Sequence, residues 1–398
     1  MVAAVAYAPL IFAGYGSDVD AYALLEAAAR WEGGGYSPSR QPGFPVHEWA
    51  TAALDAVGGS IATNAGTAVM ALVALGSFLG LARRLGVPHR AVLGLTFALH
   101  PVVWATAAAT IDYAWALGFA LAGGVWVLDR RWAGGGVLLA LAIGARATTG
   151  LVVLALLGYA WWSGSADGRR DTRGVALATT LALGLGGLCY VPVLAYYGWA
   201  LDFLVPVGAE EQATWSWAAR LGRFGYKTVY LWGLPAAAWI AWVLARVAWK
   251  EAFADLPARA RAAVALGGGV VAGYGLLFLR YPLEMEYLLP TVPFLLLALG
   301  ALSSRRALQV LCGLTLLYAA ASMNVARPDR PLHATRVDLG LWLEPGYLAT
   351  DVAQRLRVRE CRTIRCWHER SQDGAFVGLW TEGDEQRPRP EQPGPSAR

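Results

Sequence analysis

Residues 60–84 read SIATNAGTAVMALVALGSFLGLARR, a long run of small and apolar side chains that ends on two arginines. A helix needs about 20 mostly apolar residues to cross a bilayer. This run meets that requirement, and Arg83 and Arg84 follow it as the basic flank typical of a cytoplasmic surface. We therefore predict a membrane-spanning helix over residues 60–82.

The composition of the whole chain agrees with this prediction. Of 398 residues, 57% are hydrophobic and 15% are charged, whereas soluble domains have about 45–50% and 25%. A single soluble core cannot bury the excess, because such cores stop growing near ~250–300 residues. The high apolar content also excludes disorder, and 4 Cys exclude a disulfide scaffold. The sequence predicts a polytopic membrane protein, and without a concentrated basic patch we expect no nucleic-acid partner.

The same criterion predicts an all-α fold with about eleven transmembrane helices. The candidate spans are 2–14, 60–82, 91–108, 113–128, 133–145, 148–163, 175–197, 226–247, 262–279, 288–303 and 307–323.

Basic residues fall on alternate connections between these spans. They are Arg83, Arg84 and Arg90, then Arg130 and Arg131, then Arg169, Arg170 and Arg173, then Arg246, Lys250, Arg259 and Arg261, and finally Arg305 and Arg306. The positive-inside rule places these connections in the cytoplasm. The other loops and the C-terminal tail are then expected on the extracytoplasmic side of a multi-pass plasma (inner) membrane protein.

Two regions outside the spans have their own predicted structure. The first outer loop, 14–59, contains amphipathic segments at Tyr22–Trp31 and Val46–Ala56, which we expect to lie as helices in the membrane interface. After the transmembrane domain (1–323) comes a small outward α+β segment (324–381). It has a predicted helix at 346–355 and strands at 361–367 and 375–381. Residues 382–398 are rich in Pro, Gln and charge, which predicts disorder.

Cys361 and Cys366 lie in this outward segment, where a disulfide can persist. We expect a disulfide or free thiols rather than a metal site with His368, because zinc normally needs three or four ligands.

Polar residues near the outer ends of the spans are the candidate functional residues. Asp18 and Asp20 follow the first span and are either solvated loop acids or site acids held at the membrane surface. Arg40 stands between prolines and contacts either a lipid headgroup or a ligand. His47 and Glu48 follow it and could simply face water.

Three further outer turns carry charge. Asp112, between spans three and four, is a candidate helix cap. Arg146, between spans five and six, has no acidic neighbour in sequence, so it either snorkels or pairs with an anion. Arg280 and Glu284, before span ten, form either a structural ion pair or part of a site.

These residues resemble the motifs of the GT-C class of integral-membrane glycosyltransferases, in the branch akin to protein O-mannosyltransferases and aminoarabinose transferases. The matching stretches are Asp18-Val-Asp20-Ala-Tyr22, Ser39-Arg40-Gln-Pro42-Gly43-Phe-Pro45 with Glu48, Gly144-Ala-Arg146-Ala-Thr-Thr, and Arg280-Tyr-Pro-Leu-Glu284-Met-Glu286-Tyr287-Leu-Leu-Pro290. The resemblance covers residues 1–323 and rests on the order and sidedness of the motifs. The tail matches no motif.

The resemblance implies a polyprenyl-phosphate sugar donor and transfer on the outer face of the bilayer. It also implies an acid in the first outer loop with a Tyr at the spacing of Asp18 and Tyr22. The family often has Glu directly after this acid, where this chain has Val19, and Asp20 is displaced by one position. Which acid acts, and whether a divalent metal is held, therefore stay open.

The expected chemistry needs one base and one or two cations. A carboxylate can remove the acceptor's proton, and guanidinium groups can stabilise the leaving phosphate. Asp18 is the expected base, with Asp20 and Glu48 as second choices or as groups that bind the acceptor. Arg146 and Arg280 are expected to hold the lipid phosphate, and Arg40 is expected to act as a gate or sugar contact. The expected substrate-binding residues are Tyr22, Arg40, His47, Glu48, Asp112, Arg146, Arg280, Glu284, Glu286 and Tyr287. The sugar and the acceptor (protein, lipid or glycan) are not readable.

A secondary transporter of a small polar or anionic solute is the alternative. It would explain the spans and the intramembrane polar residues. Transporter sites, however, tend to lie at the bilayer midplane between repeats, whereas these polar residues gather at the outer ends of the spans and no repeat is visible.

Overall fold

The computed structural model describes residues 1–32, 35–166, 171–201, 215–247, 254–282, 284–328 and 337–372. The helices up to residue 196 are Val2–Ile11 (α1), Val19–Glu32 (α2), Pro45–Arg84 (α3), Arg90–Ala98 (α4), Pro101–Thr106 (α5), Tyr113–Leu128 (α6), Trp132–Ala145 (α7), Gly150–Ala166 (α8), Thr172–Cys189 (α9) and Val191–Tyr196 (α10). Those after it are Trp217–Trp232 (α11), Leu234–Arg246 (α12), Ala258–Arg280 (α13), Thr291–Leu302 (α14), Arg305–Ala320 (α15), Tyr347–Val358 (α16) and Ile364–Gln372 (α17). Short 3-10 helices cover Ala147–Thr149 and Met285–Leu288.

The only sheet among the described residues is an antiparallel hairpin. Its strands are Ala321–Pro328 (β1) and Val337–Pro345 (β2), and Ala321 pairs with Pro345. The all-α prediction is confirmed apart from this hairpin, which the sequence did not predict.

Three described stretches are long and apolar enough to cross a membrane: α3, the stretch Thr172–Tyr196 and α13. The pair α11 and α12, bent by 106°, would make a fourth if counted as one span. Further apolar helices are shorter than a full crossing: Val2–Ile11, Tyr113–Leu128, Trp132–Ala145, Ala147–Ser163 and Thr291–Leu302. The long apolar helices are compatible with a membrane protein, while the number of eleven spans stays a prediction.

Several predicted spans are broken, and each break has a local cause. Span 91–108 divides into α4 and α5 at Pro101, which lacks the N–H that a continuous helix needs. Span 226–247 bends at Gly233, whose φ of 76° favours glycine. The predicted outer helix 46–56 is the first part of α3, and non-helical Gly58 and Gly59 separate it from span 60–82.

The C-terminal segment departs from its predicted structure. The predicted helix at 346–355 is confirmed as α16, but the predicted strand at 361–367 is wrong. Instead Thr363 accepts from the Trp367 backbone N–H at 3.0 Å, and α17 starts at Ile364. The Ile364 N–H donates to the Glu26 side chain at 2.9 Å, which gives the new helix end an acceptor. The predicted strand 375–381 and the tail 382–398 lie outside the described residues.

Described residues of four of the basic connections lie near one another at one end of the bundle. Arg84 Nε donates to Asp129 Oδ1 at 2.8 Å, so the turns after α3 and α6 are neighbours. Trp132 Nε1 donates to Asp171 at 2.8 Å, which places the start of α9 there too. The Arg259 Cβ lies 3.9 Å from where a β-carbon on Gly86 would stand. Asp112, at the other end of α6, marks the opposite side of the bundle.

Candidate functional site

The candidate site lies at the Asp112 end of α6. Four connections meet there: residues 13–18 before α2, residues 35–44 before α3, the turn around Arg146 and the turn 284–287 before α14. Helices hold the ends of all four, so side chains distant in sequence converge on one face of the bundle.

Asp18 stands directly before α2 and caps it. Its Oδ1 accepts the Asp20 backbone N–H at 2.9 Å, the bond that an N-cap carboxylate makes. The side chain is surrounded by protein but keeps partial solvent access. Burial, followed by the charge of Asp20, raises the pKa of the Asp18 carboxyl to about 7. Such a carboxyl takes up and releases a proton near neutral pH.

Arg40 links the first outer loop to the bundle. Its Nε lies 3.0 Å from Asp20 Oδ2, and its Nη2 donates to Asp112 Oδ1 at 2.7 Å. The guanidinium sits 4.1 Å from the centre of the Phe44 ring. Within the described residues, the buried Nη1 has no hydrogen-bond partner. The N–H groups of Arg40 Nη1 thus remain as donors that the described residues do not use.

Asp112 joins both arginines, because its second oxygen accepts from Arg146. Arg146 Nη1 donates to Asp112 Oδ2 at 2.5 Å, and Asp112 is fully buried. Burial raises the pKa of the Asp112 carboxyl, but the charges of Arg146 and Arg40 together lower it by more. The pKa of Asp112 is therefore below its ordinary value. Asp112 occupies the N-cap position of α6 without a side-chain cap bond. Arg146 thus pairs with a buried carboxylate of the protein rather than snorkelling to the membrane surface, and its expected contact with a lipid phosphate stays a prediction.

Aromatic faces enclose the Arg146 guanidinium. It lies 4.1 Å from the ring centre of Tyr113 and 4.6 Å from that of Tyr287. Stacking on rings and pairing with Asp112 leave Arg146 3% exposed, so its charge is held in place inside the protein. Tyr287 thereby ties the turn before α14 to the same network.

The turn before α14 adds two carboxylates. Glu284 Oε2 accepts from Lys227 Nζ at 2.5 Å, and Glu284 Oε1 from Arg223 Nη2 at 3.4 Å. Glu286 is buried and accepts from the Tyr347 hydroxyl at 3.4 Å. Burial, then the charges of Glu284 and Asp18, raise the pKa of Glu286 to about 8. The charge of Asp18 thus disfavours the charged form of Glu286, and the charge of Glu284 does the same to Asp18.

Arg280 does not join this network. Its side chain is exposed and lies over its neighbour, 4.8 Å from the Tyr281 ring centre. Glu284 pairs with Lys227 and Arg223 of α11, so of the two alternatives for Arg280 and Glu284 the ion pair is wrong. Arg280 contributes its backbone carbonyl, which accepts from Arg220 Nη1 at 2.9 Å.

Three other predicted residues hold the loops in place. The Tyr22 hydroxyl is buried and donates to Gly16 O at 3.0 Å. Glu48 is buried and accepts from the Tyr36 hydroxyl and from Ser39, rather than facing water. His47 is also buried and packs edge-on against Trp115.

Sequence reasoning missed the cations of α11. Arg220, Arg223 and Lys227 lie three and four residues apart in the sequence, a spacing that places them on one face of a helix. Reading 226–247 as a straight span concealed that pattern, because it divided α11 between a loop and a span.

The described residues contain no group of three or more His, Cys, Asp or Glu side chains that could hold a metal ion. The carboxylates described above are engaged instead by arginines, a lysine, hydroxyls and backbone N–H groups. Among the described residues, these carboxylates therefore face cations and donors and do not form a metal-binding group.

The arrangement can perform acid–base chemistry next to an anion. It combines a carboxyl that titrates near pH 7 with fixed guanidinium charges, one of which retains an unused donor. Comparison of the chain with protein-family models, curated proteins and solved structures gives no match.

Proposed function

We propose that the protein is a membrane-bound glycosyltransferase. It moves a sugar from a polyprenyl-phosphate donor to an acceptor hydroxyl on the outer face of the membrane. The observation that carries the proposal is the continuous chain of charges from Asp20 through Arg40 and Asp112 to Arg146, with Asp18 beside it. A sugar transfer in which a phosphate is the leaving group needs a base and cations at one place. This group of charged residues contains both.

In the proposed reaction, the acceptor oxygen attacks the anomeric carbon of the donor sugar. The new carbon–oxygen bond forms as the bond to the phosphate oxygen breaks, and the acceptor's proton passes to the Asp18 carboxylate. A base works best when its pKa lies near the working pH, which agrees with the raised pKa of Asp18. The phosphate leaves as an anion, needs no acid, and one displacement inverts the anomeric centre.

The cations have separate tasks in this proposal. Arg40 contacts the phosphate, because it is partly exposed and its Nη1 is unused by the described residues. Arg146 positions Arg40 through Asp112, since it is buried and fully engaged. Arg280, exposed at the end of α13, is placed for a lipid headgroup or the polyprenyl phosphate. The site thus binds an anion on one side and an acceptor on the Asp18 side.

The apolar exterior supports a lipid-borne donor. Large apolar side chains are exposed along the long helices, including Val69, Val73, Leu183 and Leu276. Such a surface requires hydrocarbon around it, and a polyprenyl chain can lie against it from the bilayer. The positive-inside pattern favours an extracytoplasmic site on a multi-pass plasma membrane protein.

A secondary transporter is the alternative from another class. Its polar residues would line the middle of the bundle, whereas the described charge network lies at helix ends. The geometry therefore gives more support to surface chemistry than to passage through the bundle.

Substitution of Asp18 tests the proposal. Purified protein with a panel of polyprenyl-phosphate sugars is expected to transfer sugar, and Asp18→Asn is expected to lose at least about a hundredfold in kcat. Asp129→Asn is the matched control, because Asp129 pairs with Arg84 at the opposite end of α6. An Asp18→Asn protein as active as the control would refute the role of Asp18. An inactive wild-type protein with every donor would refute the proposed function.

A further inference from the structure

The segment before Asp18 is anchored at each of its carbonyl groups. Gly14 O accepts from Asn64 Nδ2 at 2.6 Å, and Tyr15 O from the Thr110 N–H at 2.7 Å. Gly16 O accepts from the Tyr22 hydroxyl at 3.0 Å. Ser17 O, directly before Asp18, accepts from Trp367 Nε1 at 2.9 Å. The last anchor thus comes from the C-terminal segment.

Ser17 is held by its side chain as well. Its hydroxyl donates to Asp351 Oδ1 at 2.5 Å, which connects it to α16. Asp351 is fixed in turn by Arg355, whose Nε lies 2.7 Å from Asp351 Oδ2. Arg355 is 1% exposed and its Nη1 donates to Ala108 O at 2.7 Å. This pairing attaches α16 to the bundle, so Ser17 is anchored to a rigid support.

The contact between the two segments is close along its length. The Tyr22 hydroxyl, which donates to Gly16 O, shares this hydrogen with Val358 O at 3.2 Å. Gly14 has a φ of 85°, and a β-carbon there would stand 2.8 Å from the Arg359 Cα. Arg362 Nη1 donates to the Tyr15 hydroxyl at 2.6 Å. A side chain at position 14 would push the C-terminal segment away.

An apolar cluster fills the space under these bonds. It contains Tyr15, Ala21, Tyr22, Leu25, Val358, Cys361 and Trp367. The Cys361–Cys366 disulfide closes the turn between α16 and α17, next to Trp367. The disulfide therefore restricts the part of the chain that carries the Trp367 donor.

Helix α16 also reaches the second carboxylate of the site. Tyr347, at its first turn, donates to Glu286 at 3.4 Å, while Asp351 one turn later holds Ser17. Residues four apart share a face of a helix, so one face of α16 touches both acidic loops. Its position fixes how far Asp18 stands from Glu286.

We propose that the α16–α17 unit positions Asp18 for the proposed transfer, with Trp367 and Asp351 as positioning residues. The inference rests on the proposed function, because it assigns this unit a task in that reaction. Trp367 holds the carbonyl next to Asp18, and Asp351 holds the neighbouring hydroxyl. Loss of either hydrogen bond would let the Asp18 carboxylate move away from the acceptor while Asp18 keeps its charge.

Trp367→Phe is the test, because it removes the Nε1 donor and keeps an aromatic ring in the cluster. We expect kcat to fall by about tenfold or more with an unchanged donor KM, since small misplacements of a catalytic group are costly. Trp239→Phe is the matched control: its Nε1 donates to Ala307 O at 3.0 Å, away from Asp18. Hydrogen exchange of residues 14–22 is expected to be faster in Trp367→Phe than in wild type, and unchanged in Trp239→Phe.

Ser17 gives a second variant in case Trp367→Phe does not fold. Ser17→Ala should lower kcat, and Ser17→Thr, which keeps the hydroxyl, should restore most of it. Wild-type kcat in Ser17→Ala, or in a folded Trp367→Phe protein, would overturn the inference while leaving the proposed function intact. Unaltered exchange in both would overturn it too. An inactive wild-type protein is a different result and refutes the proposed function.

Discussion

At the scale of single residues, Asp112 organises the candidate site. One buried carboxylate accepts from Arg40 on one oxygen and from Arg146 on the other. Removing one partner of a buried ion pair is costly, about 3–5 kcal/mol, because the other charge stays buried. The three residues thus act as one unit. Asp112, which lies 72 positions further along the sequence, holds Arg40 in position.

The pH dependence of Asp18→Asn is a prediction at this scale. Burial, then Asp20, raises the pKa of Asp18 from 3.8 to about 7 in the folded protein. The folded state then binds more protons than the unfolded state between about pH 4 and 7, so this group lowers stability as the pH rises through that window. Asn does not titrate. The stability of Asp18→Asn relative to wild type should therefore increase between about pH 4.5 and about pH 7.5.

Thermal unfolding in detergent over this pH range measures the difference. Asp129→Asn serves as control because its carboxyl has the opposite shift: the hydrogen bond from Arg84 lowers its pKa. A stability difference between Asp18→Asn and wild type that stays constant with pH would contradict the raised pKa.

At the scale of elements, small residues decide which helices can meet. Gly136 on α7 faces α9, where a β-carbon would stand 2.9 Å from the Ala178 carbonyl oxygen. Gly267 on α13 faces Phe294 on α14 in the same way. Helices that associate within lipid do so through packing of such small residues. The contact at Gly267 holds α13 against α14, the two helices on either side of the turn 284–287.

Gly267→Ala is expected to destabilise the protein. The new methyl group would overlap the carbonyl oxygen of Phe294, and overpacking costs about 1–3 kcal/mol. Gly268→Ala is the matched control on the same helix, since nothing lies within 4 Å of its added β-carbon. Thermal unfolding should show a lower Tm for Gly267→Ala only; equal Tm values would contradict the close packing of α13 on α14.

At the scale of the whole molecule, charge is sorted between the two ends of the bundle. Asp112 and Asp129 flank α6, which has 16 residues and therefore spans about 24 Å. Asp129 faces the basic connection with Arg84, and Asp112 faces the candidate site. This separation is what the positive-inside rule predicts for a protein whose site faces outward.

Cysteine labelling tests this orientation. Arg280→Cys and Arg131→Cys place single thiols at exposed positions on opposite ends of the bundle. In a background with Cys189→Ala and Cys312→Ala, an impermeant maleimide should label Arg280→Cys on intact cells. Arg131→Cys should react only after permeabilisation. The reverse pattern would refute the proposed extracytoplasmic position of the site.

The sequence alone predicted the local features of the fold. Helices, their apolar character and the alternation of basic connections follow from composition and spacing within about 20 residues. The helix α16 and the acids and arginines of the site were also readable from single stretches. The breaks at Pro101 and Gly233 carry local signals too, yet a hydropathy pattern does not show them because apolar residues continue on both sides of each break.

Only the tertiary structure decided which of these residues meet. Asp112 and Arg146 are 34 positions apart, and Ser17 and Asp351 are 334 apart. No periodicity extends over such distances, because these pairs depend on how packed helices bring their ends together. For the same reason the structure placed Lys227 rather than Arg280 beside Glu284, and set the C-terminal helices against the loop that carries Asp18.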